Sequence, residues 1–337
     1  MKKRNNPVCV LISACFMLIL ICNSKIAFQG ISEGIDLCLR TIIPSLFPLA
    51  ILSNILTAQL NNSGGAFLRM VGKLFKLPQG YEGILVPGLL GGYPLGAAAI
   101  ANAYNQHQIN KPQAHRLLMF CCNAGPSFIF GLAGSLFSNS LCSWALWTIQ
   151  IASALVISRL IPSDLESSNY ASRKASSCGL SDSVGRATHS MASVCAWITL
   201  FRMVIRFLEE WSFGCLPALV RLLLYGILEI SNGCISLNQI PSEPLKFVIC
   251  SGFLGFGGLC VAMQTASVAS NLELKHYLAG KALQSVLCVA FSILMLPYLF
   301  EIPFSWKFLV LVLAVPALFL LRIIPENYSR NLISSDV

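Results

Sequence analysis

Covalent chemistry has few candidates in this 337-residue chain. The four histidines, His107, His115, His189 and His276, show no HExxH spacing and no adjacent carboxylate, so they do not spell a catalytic zinc site. Fourteen cysteines are scattered singly, with only Cys121 and Cys122 adjacent and no CxxC pair, which reads as small apolar packing residues rather than metal ligands or disulfides. There is no GxSxG nucleophile and no P-loop. Neither an enzyme, a metal site nor a cofactor is expected.

The remaining chemistry is noncovalent and comes from polar groups set in apolar surroundings. "GLLGGYPLGA", Gly88 to Ala97, interrupts an apolar stretch with four glycines and a proline. Gly91 and Gly92 permit a tight reversal, Tyr93 follows, and Pro94 suits the first turn of a new helical arm, where its missing N–H is no loss. Helix ends exposed by such a turn present N–H groups and partial positive charge, which favour a carboxylate or phosphate oxygen. A second interruption, "ILEISNGC", puts Glu229, Ser231 and Asn232 in an apolar run. An ionised carboxylate at a helix centre costs about 2.5–3.5 kcal/mol on insertion scales, so Glu229 is expected to face a pathway, where it binds a coupling cation, binds substrate or takes up a proton. Asn123, with Gly125 and Ser127 in "NAGPSFIFG", and Gln264 in "GLCVAMQT" supply neutral hydrogen-bonding groups at corresponding places. These eleven residues form the expected substrate site. Arg116, Arg202 and Arg206 are electrostatic candidates, the latter two four apart on one helix face, where they either snorkel to headgroups or form an anion-attracting vestibule. Arg40 lies four residues after Asp36, a pairing distance on a helix.

Such groups need a bilayer around them, and composition supplies it. The chain is 55% hydrophobic and 11% charged, with a mean hydropathy of +0.71, far from a soluble domain. Eight spans are expected, each near the roughly 20 residues that cross the hydrocarbon core: Pro7 to Cys22, Gly30 to Ala58, Pro112 to Phe137, Leu141 to Leu160, Ala187 to Leu208, Lys246 to Ser270, His276 to Phe300 and Trp306 to Ile323. Two interrupted stretches, residues 83–104 and 213–236, read as re-entrant hairpins. Lys2, Lys3 and Arg4 before the first apolar run also fit a signal peptide, but no A-x-A-like cleavage site follows, so the run is expected to stay as a span.

With the N-terminus cytoplasmic, Arg69, Lys73, Lys76, Lys111, Arg159, Arg173, Lys174, Arg186, Lys275 and Arg322 fall at or near cytoplasmic ends. This satisfies the positive-inside rule and puts the C-terminus inside, with Glu243 and Glu301 opposite. The net charge of +9 is then topology, and no nucleic-acid partner is expected.

An internal repeat organises these elements. "SLFPLAIL" from Ser45 resembles "TLFRMVIR" from Thr199, "GLLGGYP" from Gly88 aligns with "GILEISN" from Gly226, and "NAGPSFIFG" from Asn123 lies opposite "FLGFGGLCV" from Phe253. The expected organisation is an N-terminal helix (1–29), a first repeat (30–160), a cytoplasmic linker (161–186), a second repeat (187–300), and a last helix with a cytoplasmic tail (301–337). Three crossings per half invert the second half relative to the first, an arrangement that points to a secondary transporter.

"GLLGGYPLGA", "QINKPQAHRLLMFCCNAGPSFIFG", "LEISNGC" and "GFLGFGGLCVAMQ" resemble the sporulation integral membrane protein family of endospore-forming Firmicutes, across Gly83 to Gly134 and Leu222 to Ala269. Members carry a nucleoside-recognition or gate domain similar to concentrative nucleoside transporters. Tyr93 stands where phenylalanine is expected in "GGFPVG", and the nucleoside transporters' hairpin signatures are absent apart from "EISN". The resemblance implies transport of dipicolinic acid from mother cell to forespore across the outer forespore membrane. A nucleoside or other small solute, a non-transporting membrane protein of spore maturation and, least favoured, a membrane-embedded enzyme are the alternatives. The expected partners are the bilayer and a small organic anion; a coupling proton or sodium ion and a second copy of the chain stay open.

Overall fold

A computed structural model describes residues 7–63, 66–77, 81–161, 179–211 and 215–301. Among the described residues there are only helices and their connections, and no strand. Five helical stretches are long and apolar enough to cross a membrane: Ser24–Leu52, Leu141–Leu160, Leu180–Trp211, Glu243–Val268 and Leu274–Phe300. The chain is a helical membrane protein.

Four of the eight expected spans fare differently, among them Lys246 to Ser270, which is divided at Gly257 into two helices. Pro7–Cys22 (α1) is a helix of 16 residues, and Asn23 alone separates it from the next helix. The stretch expected as one span from Pro112 to Phe137 is two short helical pieces with a break between them. Trp306 to Ile323 lies outside the described residues, as do residues 162–178 of the linker, residues 213–214 of the second hairpin and the tail beyond Glu301.

The first long helix runs through α2 (Ser24–Leu37), a π-turn at Cys38–Ile42 and α3 (Ile43–Ser63). It packs along α10 (Leu180–Trp211), and Gly30 and Gly34 let the two backbones touch: a Cβ on either would sit 2.7 Å from the Cα of Met203 or Thr199. Short α4 (Ala66–Leu74) leads into a broken pair, α5 (Glu82–Val86, extended by a π-turn over Pro87–Gly91) and α6 (Leu95–Asn105). Next comes a broken helix, α7 (Lys111–Phe120) followed by α8 (Pro126–Phe128) and its continuation to Leu136, and then α9 (Leu141–Leu160). Asn110 starts α7 with a reciprocal capping box to Gln113.

After α10 the same order returns. The broken pair is α11 (Ala218–Leu228) and α12 (Ile230–Ser236), the broken helix is α13 (Glu243–Phe256) and α14 (Gly258–Val268), and the closing long helix is α15 (Leu274–Phe300).

Side-chain contacts fix the sense of each piece. Lys111, at the start of α7, meets Glu273, just before α15, at 3.0 Å, whereas Ser138, beyond the continuation of α8, donates its hydroxyl to Glu243, at the start of α13, at 2.9 Å. One broken helix therefore runs from the Lys111 end to the Ser138 end and the other returns, so the two are antiparallel. The first broken pair opens and closes at the Lys111 end: the Tyr81 hydroxyl donates to Gln113 at 2.9 Å, and Asn271 donates to Asn105 at 3.1 Å. The second closes toward Glu243, at the opposite end. Arg40 pairs with Asp36, as its spacing predicts.

The Lys111 end carries one testable electrostatic contact. The Lys275 and Lys111 ammonium groups, in that order, hold the exposed Glu273 carboxyl down at about 2. Because the folded-state value lies below the unfolded value of about 4.3, the contact stabilises the fold above that pH and is lost as pH falls toward 2. Glu273→Gln is expected to flatten the fall in unfolding temperature between about pH 5 and 2. Thermal unfolding of the two purified proteins across that range checks it.

Candidate functional site

Four helix breaks meet in the middle of the molecule, and each has a local cause. In the first pair the chain reverses at Gly92, whose φ of +77° suits glycine, and α6 resumes after Pro94. The reversal is packed directly against the second break, since a Cβ on Gly92 would lie 2.8 Å from the Gly125 nitrogen. That second break runs over residues 121–125, from the C-cap of α7 at Cys121 to the extended Gly125, and Pro126 opens the next piece at its first position. A proline has no N–H for the carbonyl four residues earlier, here Cys122.

The third break is at Glu229. Its backbone is extended (φ −147°, ψ 121°), and its side chain caps the helix that follows. Oε1 accepts from the Ser231 N–H at 2.9 Å, and Oε2 accepts from the Asn232 N–H and the Asn232 side-chain amide, both at 2.7 Å. Three donors on two oxygens suit an ionised carboxylate. The fourth break falls between two consecutive glycines with φ of +83°, Gly257 and Gly258, and separates α13 from α14.

Tyr93 ties the two halves together at this point. Its hydroxyl donates 2.8 Å to the Leu254 carbonyl, which lies at the end of α13 beside the break, and its ring packs against Gly257. This gives a physical role to the tyrosine that stands where phenylalanine was expected. Tyr93→Phe would leave the Leu254 carbonyl without that donor, at a cost of about 1–3 kcal/mol. Denaturant unfolding in detergent is the check.

The first three breaks line a cavity, walled also by α3, α10 and α14, the helix that follows the fourth break. Nine of the eleven residues expected to bind substrate line it: Gly91, Gly92, Tyr93, Pro94, Gly125, Ser127, Glu229, Ser231 and Gln264. Glu229 is 1% exposed, so it is no solvated interface residue. The Ser231 side chain is buried in the wall beside the Glu229 carboxylate. No lysine or arginine is among the lining residues.

The other two stand behind the wall. Asn232 holds Glu229. Asn123 donates to the Phe120 carbonyl at 2.8 Å and accepts from Gln284 at 2.6 Å. The three arginines lie elsewhere. Arg116 is buried on α7, donates to the Ser158 carbonyl at 2.9 Å and covers the Phe120 ring. Arg202 pairs with Glu33 and Glu209, and Arg206 pairs with Glu209, so their charges are matched within the protein and do not reach the cavity.

The sequence reading passed over Lys281. It is fully buried in α15, where its ammonium donates to the Cys122 carbonyl at 2.6 Å and to Gln284 Oε1 at 2.5 Å, and lies 5.1 Å from the centre of the Tyr93 ring. Gln284 links this group to Asn123, Gln150 and Ser153. The signal was in view, because an ionisable residue inside an apolar span is a functional candidate by default, and Lys281 and Gln284 are three apart on one helix face.

Among curated proteins the chain is similar to the sporulation integral membrane protein YlbJ of Bacillus subtilis (strain 168), with 25% identity over 341 aligned residues, which cover 85% of this chain and 82% of that protein. No family model matches the chain, and no solved structure matches it significantly.

Proposed function

We propose that the chain is a secondary transporter of a small organic anion, with dipicolinic acid moved from mother cell toward forespore as its substrate. The observation that carries this reading is the meeting of four helix breaks, two on each side of α10, beside a cavity that three of them line and that has the buried Glu229 carboxylate in its wall. Backbone freed from helical hydrogen bonds survives at membrane depth where it is buried in protein or lines a cavity, and broken helices at corresponding places of inverted repeats mark solute sites near the midplane. The pairs α5–α6 and α11–α12 then enter from opposite membrane faces as re-entrant hairpins. Lys111, Arg159 and Lys275 mark the cytoplasmic face, and Glu243 the other. The similarity to a sporulation integral membrane protein supports a membrane role in spore formation.

Dipicolinate is a planar aromatic dianion at neutral pH. The N-terminus of α6, just past the reversal at Gly92, offers it partial positive charge, that of α12 being already capped by Glu229, and the neutral amide of Gln264 offers a hydrogen bond. Glu229 would repel it while ionised, so proton uptake at Glu229 accompanies anion entry. The same carboxylate, in a cavity with no lining lysine or arginine, favours a second reading, a neutral solute such as a nucleoside. Equilibrium binding to the purified protein separates the two. The first reading expects saturable dipicolinate binding that tightens as pH falls, and the second expects nucleoside binding with none for dipicolinate.

A further inference from the structure

We propose that Lys281 is a tethered cation that takes the place of a mobile coupling ion at the break between α7 and α8, so that sodium is excluded there. The inference rests on the transporter reading for its meaning and on separate geometry for its content.

Unwound carbonyls and the C-terminal ends of half-helices are what coordinate sodium in transporters built from broken helices. Here α7 ends at Phe120, and Pro126 deprives the Cys122 carbonyl of its helical donor, so this break presents carbonyl oxygen and the negative end of a helix dipole. The site is already filled by charge from the protein itself. Lys281 Nζ stands 2.6 Å from the Cys122 oxygen and 2.5 Å from Gln284 Oε1, with the face of Tyr93 completing its surroundings. Among the described residues no carboxylate pairs with it, so carbonyl, amide and ring are what compensate the ammonium. A second cation at the same oxygens would meet a like charge within contact distance. Tyr93 also lines the cavity, which places the fixed charge one side chain behind the solute.

The test needs no solute, so it stands apart from the transport reading. Purified protein is unfolded thermally in rising sodium chloride against choline chloride at equal ionic strength. The wild type is expected to show no sodium-specific shift. Lys281→Ser opens the carbonyls and is expected to gain a saturable sodium-specific rise, about 3 °C at ten times the sodium dissociation constant. Lys281→Arg keeps the charge and is expected to stay insensitive. If Lys281→Ser cannot be recovered folded, Lys281→Gln, which removes the charge and keeps a donor, takes its place in the same titration with the same expected gain. Sodium-specific stabilisation of the wild type, or a folded neutral variant without any, overturns the proposal.

Discussion

Gly92→Val is expected to reduce solute uptake to the level of protein-free vesicles. Two independent features of the position combine. Its φ of +77° is a conformation that a β-branched residue rarely adopts. A Cβ there would also lie 2.8 Å from the nitrogen and 3.0 Å from the Cα of Gly125, both backbone atoms that cannot swing aside as a side chain can. The substitution therefore pushes the reversal between α5 and α6 away from the break in the next helix, and the cavity wall opens at the point where both elements contribute to it. Part of the damage will register as stability, because overpacking of this kind costs about 1–3 kcal/mol. Uptake must therefore be normalised to protein that elutes as a single folded species. Folded Gly92→Val with wild-type uptake would mean that the contact between the tip and Gly125 is packing without function.

Glu229→Gln is expected to abolish uptake driven by a proton gradient. A carboxylate accepts at both oxygens, and here all three donors are engaged. The amide keeps one accepting oxygen and turns an NH2 group toward either the Ser231 N–H or the two Asn232 donors, so one side of the cap is lost at about 1–3 kcal/mol. The titratable charge is lost with it. If proton uptake at Glu229 accompanies anion entry, dipicolinate binding to the variant becomes independent of pH and is no weaker than to the wild type, while gradient-driven accumulation disappears. Binding and uptake measured together across pH decide this. Unchanged accumulation in a folded variant would remove Glu229 from the transport cycle and leave it as a helix cap.

How much of this was legible before the fold was known depended on how each feature is written in the chain. The breaks at Gly92 and Glu229 were readable because each interrupts an apolar run with residues that a continuous buried helix does not tolerate: glycines with a proline in one case, a carboxylate in the other. The breaks at Phe120 to Pro126 and at Gly257 were not, because the pieces on either side add up to a plausible span length and hydropathy does not register a missing N–H. Pro126, four residues after Cys122, carried that information locally. The roles given to Arg202 and Arg206 needed partners that sequence does not bring close: Glu33 is 169 residues from Arg202 along the chain, yet the two lie at salt-bridge distance where α2 packs on α10. Lys281 could have been found from its type and place alone, but its meaning could not, since that depends on the Cys122 carbonyl 159 residues away.

On the reading proposed above, the cavity between the broken helices carries a small organic anion across the membrane. Reconstitution of this protein alone into proteoliposomes, followed by uptake of labelled dipicolinate under an imposed proton gradient, tests it most directly. Saturable accumulation above protein-free vesicles is expected, with collapse of that accumulation when the gradient is dissipated and none with Gly92→Val. Correctly folded wild-type protein that accumulates no dipicolinate under a gradient of either direction would contradict it.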